Sequence, residues 1–207
     1  MLLLTLIKGI VVGIVIALPV GPVGVLCVRR TLFEGMAFGL LSGLGAAAAD
    51  AIFGVIACFG LTVVRDEILQ YSNWLSAAGG LFLLYVGGRA LLERRVREPE
   101  PLAGEALFGA FASSFALTLT NPITILAFAA IFAKVGIDEG ASPAAIGVLV
   151  GGVFLGSALW WLGLSIGIAW LRRHAHRFTL VWLNRVSGAI LSLSGVGLLI
   201  AALFGHG

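Results

Sequence analysis

Leu18-Pro19-Val20-Gly21-Pro22-Val23-Gly24 interrupts a segment, about Ile7 to Val28, that is otherwise apolar enough to cross a membrane. Pro22 cannot donate a backbone hydrogen bond, and its ring clashes with the carbonyl four residues earlier. Pro19 repeats the effect, while Gly21 and Gly24 remove side-chain support. The helix is therefore expected to break there. Backbone groups freed at membrane depth are tolerated only against protein or a water-filled cavity. A second break of the same kind, Thr120-Asn121-Pro122-Ile123-Thr124, lies in another apolar segment in the second half of the chain. Paired broken helices in matching halves of a chain are the sequence sign of a transporter binding site.

Composition supports a membrane setting. The chain has 207 residues, 60% hydrophobic and 11% charged. Soluble domains hold about 25% charged residues. The net charge of +3 is modest, and no basic patch suggests a nucleic-acid partner. Six segments reach the about 20 apolar residues that span a bilayer. They run from about Ile7 to Val28, Met36 to Val64, Trp74 to Leu92, Ala106 to Ala133, Ala144 to Leu171 and Leu180 to Phe204. No period-two alternation favours a barrel, so an all-α integral membrane protein is expected. The first segment has no basic stretch before it and no small-residue cleavage site after it, and reads as a membrane helix.

Ten of the thirteen basic residues fall on one side of this arrangement: Arg29, Arg30, Arg89, Arg94, Arg95, Arg97, Arg172, Arg173, Arg177 and Arg185. Lys8, Arg65 and Lys134 fall on the other. The positive-inside rule places the ten in the cytoplasm and both termini outside it. Each of these arginines reads first as a topology anchor.

The two halves resemble each other. Gly39/Gly147, Gly43/Gly151, Trp74/Trp182, Gly80/Gly188 and Gly87/Gly195 are all separated by one and the same offset along the chain. With three spans per half, the second half enters the membrane from the opposite side. The chain is thus expected to be one transporter domain, 1–207, of two inverted three-helix repeats, about 1–92 and 106–207. A charged cytoplasmic linker, about 93–105, joins them, and helices 1 and 4 are broken by proline. A short insertion around Asp138–Pro143 lengthens the second half. The Gly39/Gly43 and Gly147/Gly151 pairs are expected to let helices 2 and 5 approach a neighbour closely.

Asp50 is the acidic residue at full membrane depth, midway between Glu34 and Arg65. A carboxylate there costs at least about 2.5 kcal/mol on insertion scales. It is therefore read as a proton-coupling group or the partner of a substrate ammonium. Its counterpart at the repeat offset is Ala158, so the acid is not duplicated. The candidate substrate-binding residues are Pro19, Gly21, Pro22, Gly24, Thr120, Asn121, Pro122, Thr124 and Trp161. Amides exposed at the start of a half-helix attract anions. Trp160 and Trp161 lie mid-span, away from the interfacial belt, and one could offer a cation–π face. Tyr85 is a weaker candidate of the same kind. His174, His176 and His206 lie near interfaces or termini and form no ligand set. No nucleotide motif, nucleophile–base set or metal site is present, so no cofactor is expected, and an ion gradient must supply the energy.

Pro19-Val20-Gly21-Pro22-Val23-Gly24, Arg29-Arg30, Gly39, Gly43, Gly45, Asp50 and Asn121-Pro122 together resemble the LysE/RhtB family of amino-acid exporters. The likeness extends over essentially the whole chain. That family usually reads Pro-Gly-Pro where this chain has Pro19-Val20-Gly21-Pro22. The resemblance implies proton-driven export of amino acids or related small metabolites across the bacterial inner membrane, with Pro19, Gly21, Pro22, Asp50, Asn121 and Pro122 at the site. A homodimer is compatible with it. Two other readings remain. A metal-ion exporter of the same superfamily would want several carboxylates, imidazoles or thiols at depth. A membrane thiol–electron carrier would want a cysteine in each half, whereas Cys27 and Cys58 both lie in the first.

Overall fold

The computed structural model describes residues 2–18, 21–59, 61–92, 104–121, 124, 125, 127, 128, 131, 132, 142–174 and 177–204. Among them the chain is helical and contains no strand. The helices are α1 (Leu2–Ala17), α2 (Pro22–Phe33), α3 (Met36–Phe59), α4 (Leu61–Leu92), α5 (Gly104–Leu119), α6 (Pro143–His174) and α7 (Arg177–Phe204). The helical residues among 124–132 follow the end of α5.

Three stretches are long and apolar enough to cross a membrane: Met36–Cys58, Pro143–His174 and Val181–Leu203. The pair α1 and α2, bent by 82°, makes a fourth. Ala77–Leu92 and Gly104–Leu119 are apolar but shorter. Two boundaries differ from those expected of the sequence. The second span closes at Phe59, short of Val64, and Arg65 falls inside α4, one continuous helix from Leu61. The polar residues between spans two and three are thus helical, because Thr62 to Asn73 includes no proline or glycine to stop the helix. The expected linker at 93–105 and insertion at 138–143 lie almost wholly outside the described residues.

Small residues place α3 at the centre. Its Ala46, Ala47 and Ala49 are buried, and it packs against α2, α5 and α6. The turn into it needs a glycine. Glu34 and Gly35 both donate to the Arg30 carbonyl at the end of α2, at 2.8 and 2.9 Å. Gly35 takes φ 118°, a left-handed conformation that a side chain disfavours.

Two further contacts are built from glycine. On α1, a side-chain carbon at Gly9 would strike the Leu149 carbonyl of α6, and one at Gly156 would strike the Ile10 carbonyl of α1. On α3, a carbon at Gly45 would strike the Phe111 carbonyl of α5. Helix α6 does pack through a Gly-xxx-Gly pair, but the pair is Gly152/Gly156. A side-chain carbon at Gly147 or Gly151 would meet no described atom within 4 Å. The reason is the helical phase: residues 152, 153 and 156 face α1, and 147 and 151 lie off that face. On α3, Gly39 and Gly43 lie against Thr31 and Trp161 as expected.

The pair α4 and α7 crosses through the same residue type. A carbon at Gly80 would lie 2.8 Å from the Gly195 carbonyl oxygen, and one at Gly188 would lie 2.9 Å from that of Gly87. Asn184 Nδ2 extends this seam by donating to the Ala90 carbonyl at 3.0 Å. Because backbone faces backbone there, no side chain can yield. Gly87→Val is expected to lower stability by about 1–3 kcal/mol, read by chemical unfolding in detergent. Wild-type unfolding by this variant would mean that the two helices do not need so close a crossing.

Candidate functional site

The first helix break forms as its residues require. Leu18 still donates to the Ile14 carbonyl at 2.9 Å, closing α1. Pro22 then begins α2 at a position where its missing N–H costs nothing, and Gly21 precedes it in an extended conformation. No side chain caps the start of α2. The second break has the same logic. Thr120 and Asn121 donate back to the Ala116 and Thr118 carbonyls. The Asn121 carbonyl then accepts from Thr124 and Ile125, restarting the helix. Pro19 and Pro122, both expected at the site, lie outside the described residues.

The two breaks meet. A cavity of about 50 Å³ is lined by Gly21, Val23 and Gly24 of the first break, Thr118, Asn121 and Thr124 of the second, Asp50 and Ala46 of α3, and Trp161 of α6. Six of the sequence-derived site residues therefore share one space: Gly21, Gly24, Asp50, Asn121, Thr124 and Trp161. Pro22, at the start of α2, is not among the lining residues, and neither is Thr120. Its hydroxyl donates to the Leu117 carbonyl at 3.2 Å, and it faces Gly79 on α4. Position 120 sits on the opposite side of the last α5 turn from Thr118, which takes the lining place.

Asp50 is 3% exposed and Trp161 4%. Between them stands Ser157, which is absent from the residues expected of the sequence. Trp161 Nε1 donates to Ser157 Oγ at 3.1 Å. Ser157 Oγ in turn donates to Asp50 Oδ2 at 2.7 Å. The chain of donors ends on the carboxyl, holding it in one orientation, and Trp161 itself lines the cavity. Gly43 makes room for this tryptophan, since a carbon there would lie 2.7 Å from Trp161 Cγ. The available signal for Ser157 was a hydroxyl in a glycine-rich membrane helix, next to Ala158, the repeat counterpart of Asp50. Trp160 is half-buried and packs against the apolar core.

A second polar cluster lies toward the arginine-rich end. Arg30 is buried. Its Nη1 donates to Ser42 Oγ at 2.7 Å, the Ala110 carbonyl at 2.9 Å and Ser114 Oγ at 3.2 Å. Nη2 donates to Ser113 Oγ at 2.8 Å. Reading Arg30 as a topology anchor is therefore incomplete, because it binds α2 to α3 and α5. Serines at positions 42, 113 and 114 were the sequence sign, and their distance along the chain concealed it.

A helical membrane bundle in which two broken helices converge on a buried carboxyl defines a membrane transport protein. The chain belongs to the LysE type translocator family, whose model matches residues 14–202. It is similar to "Putative amino acid efflux protein YcgF" of Bacillus subtilis (strain 168), 26% identical over 193 residues, 90% of each chain. It is 31% identical over 183 residues to "Chemotactic transduction protein ChpE" of Pseudomonas aeruginosa, covering 86% of this chain and 84% of the relative. It is also 27% identical over 179 residues to "Uncharacterized membrane protein YahN" of Escherichia coli (strain K12), covering 83% and 78%. This is a family of transporters, not enzymes.

Proposed function

We propose that this protein is a secondary active exporter of amino acids or related small metabolites, driven by the proton gradient across the bacterial inner membrane. The observation that carries the reading is the convergence of both helix breaks, Asp50 and Trp161 on one cavity. The printed name of the Bacillus relative points to the same class of cargo.

The chemistry follows from the lining. Ionised Asp50, held by Ser157, pairs with the substrate ammonium, and the Trp161 face completes that subsite. The substrate carboxylate lies toward the uncapped start of α2, where aligned N–H groups favour an anion. A proton arriving from outside competes with the ammonium for the same carboxyl. Mutual exclusion at Asp50 makes the process an exchange: proton in, amino acid out. At about 50 Å³ the cavity is well under the roughly 300 Å³ of a ligand site, so the helices that line it must part to admit substrate.

The six-span inverted repeat belongs to this reading. It is supported by the reciprocal glycines, since Gly80 with Gly195 and Gly188 with Gly87 exchange under the repeat offset. The pairings α1 with α6 and α3 with α5 exchange in the same way. In the proposed orientation the end carrying Arg29, Arg30 and Arg89 faces the cytoplasm, and both termini face outward. Two copies pairing in the membrane is compatible with this arrangement. Metal-ion cargo would ask for more hard or soft donors beside Asp50 than Thr118, Asn121 and Thr124 supply.

Inside-out vesicles offered a panel of amino acids, with and without a proton gradient, test the reading. Gradient-dependent accumulation of at least one is expected, and none for any of them would end it. Within that assay, Trp161→Leu removes the π face while staying apolar and is expected to raise KM by about 30-fold, from about 2 kcal/mol of desolvated cation–π attraction. Trp161→Phe should retain most of the affinity. Equal KM values for the two would leave Trp161 as packing.

A further inference from the structure

A cavity of about 300 Å³, larger than the one between the breaks, opens at the arginine-rich end and is lined by Arg29, Arg30, Glu34, Tyr85 and Arg89 with apolar neighbours. Arg29 and Arg30 are buried, and Arg29 Nη1 stands 3.3 Å from Glu34 Oε1. Arg30 Nε lies 3.8 Å from the other Glu34 oxygen. Arg89 sits over the Tyr85 ring, 6.0 Å from its centroid. Among the described residues, three guanidiniums and one carboxylate thus share a space large enough for a small organic ion.

A run of polar groups along α5 and just past its end lies between the chamber and the inner site. Arg30 lines the chamber and donates to Ser114 Oγ. Thr118, one turn on, donates to the Ser114 carbonyl at 2.9 Å and lines the inner cavity with Asn121. Positions 114 and 118 are one helical turn apart on α5, and Asn121 follows just beyond its end.

We propose that this chamber is a second binding site, which holds the carboxylate of the exported amino acid on its guanidiniums before the molecule passes Arg30 to reach Asp50. The proposal rests on the amino-acid export reading above. Guanidiniums bind any oxyanion, carboxylate or lipid phosphate alike. The amino acid is favoured on two grounds. Glu34 complements an ammonium and gives an anionic phosphodiester nothing. Arg29 and Arg30 are also buried within the bundle, while Arg89 alone of the three lies on the exposed side.

The test uses the full chain in nanodiscs, with standard L-amino acids titrated one by one by calorimetry. Asp50→Asn disables the inner site, so binding that persists reports the chamber. Adding Arg89→Gln to Asp50→Asn is expected to weaken that binding about tenfold or more, and Arg89→Lys in its place to restore part of it. Arg89 is on the exposed side of α4, and a thermal melt of each variant checks that the bundle stays folded. In the transport assay Arg89→Gln should raise KM with little change in maximal rate. Loss of all binding in Asp50→Asn alone, or residual binding indifferent to Arg89→Gln, overturns the chamber site. So does displacement of the amino acid by phosphatidylglycerol, with Arg89→Gln altering only lipid retention, which would make it a lipid headgroup site. If the parent chain transports an amino acid while these results fail, only the chamber falls. If it neither binds nor transports any, the export reading falls with it.

Discussion

Asp50→Asn is expected to bring gradient-driven flux down to the level of empty vesicles while the protein inserts and folds as before. The replacement preserves shape, and an asparagine oxygen can still accept from Ser157 Oγ, now 2.7 Å from Asp50 Oδ2. It also removes the charge whose insertion at a helix centre costs about 2.5–3.5 kcal/mol, so stability should not fall. What disappears is the single group at the cavity that can exchange an ammonium for a proton. The measurement is accumulation of the transported amino acid in proteoliposomes under an imposed pH gradient, beside a thermal melt in detergent. Undiminished accumulation by the variant would reduce Asp50 to a packing residue. Loss of flux together with loss of the folded melt would leave the carboxyl structural. The proposed role requires flux to vanish and the melt to stay.

Arg30→Met carries the largest expected effect on stability. The methionine fills much of the space of the arginine stem but makes none of the donor contacts to Ser42, Ala110, Ser113 and Ser114. Each hydrogen bond to a charged donor is worth about 1.5–3 kcal/mol, although the acceptors have other recourse. Ser42 lies 3.4 Å from the Ala110 carbonyl and Ser113 donates to Gly109 at 2.7 Å. Glu34 keeps Arg29. The net loss should be about 3 kcal/mol, in line with breaking a buried charged cluster. Chemical unfolding in detergent reads it directly. Arg30→Lys should fall between, since an ammonium supplies three donors from one point and cannot span acceptors on two helices. If Arg30→Met unfolds like the parent, the cluster is incidental, and Arg30 is a topology residue like Arg172.

Several features were legible before any fold was known, because each is written into a short stretch. Pro22 and Asn121-Pro122 signal broken helices through missing N–H groups and ring clashes, which no tertiary contact can restore. Asp50 stands out because few carboxylates lie at such depth. Trp161 was one of two candidates, and the helix phase chose it: residue 161 faces α3, where Gly43 makes room, and residue 160 turns to the core periphery. Thr118 and Thr120 differ in the same way: the end of α5 turns residue 120 toward Gly79 of α4 and leaves Thr118 in the cavity lining.

The chain's own order of residues determined the all-helical character, the membrane setting and the two breaks. All of these rest on hydrophobicity and backbone chemistry that act locally. Only the tertiary structure decided that both breaks open on the same cavity and that Ser157 bridges Trp161 to Asp50. It also made Arg30 a bolt between helices with its own chamber. Those facts depend on which helix faces touch between segments far apart in the chain. That choice is made by close glycine contacts such as Gly9 against Gly152 and Gly45 against Phe111, whose fit is a property of assembled surfaces rather than of any one segment.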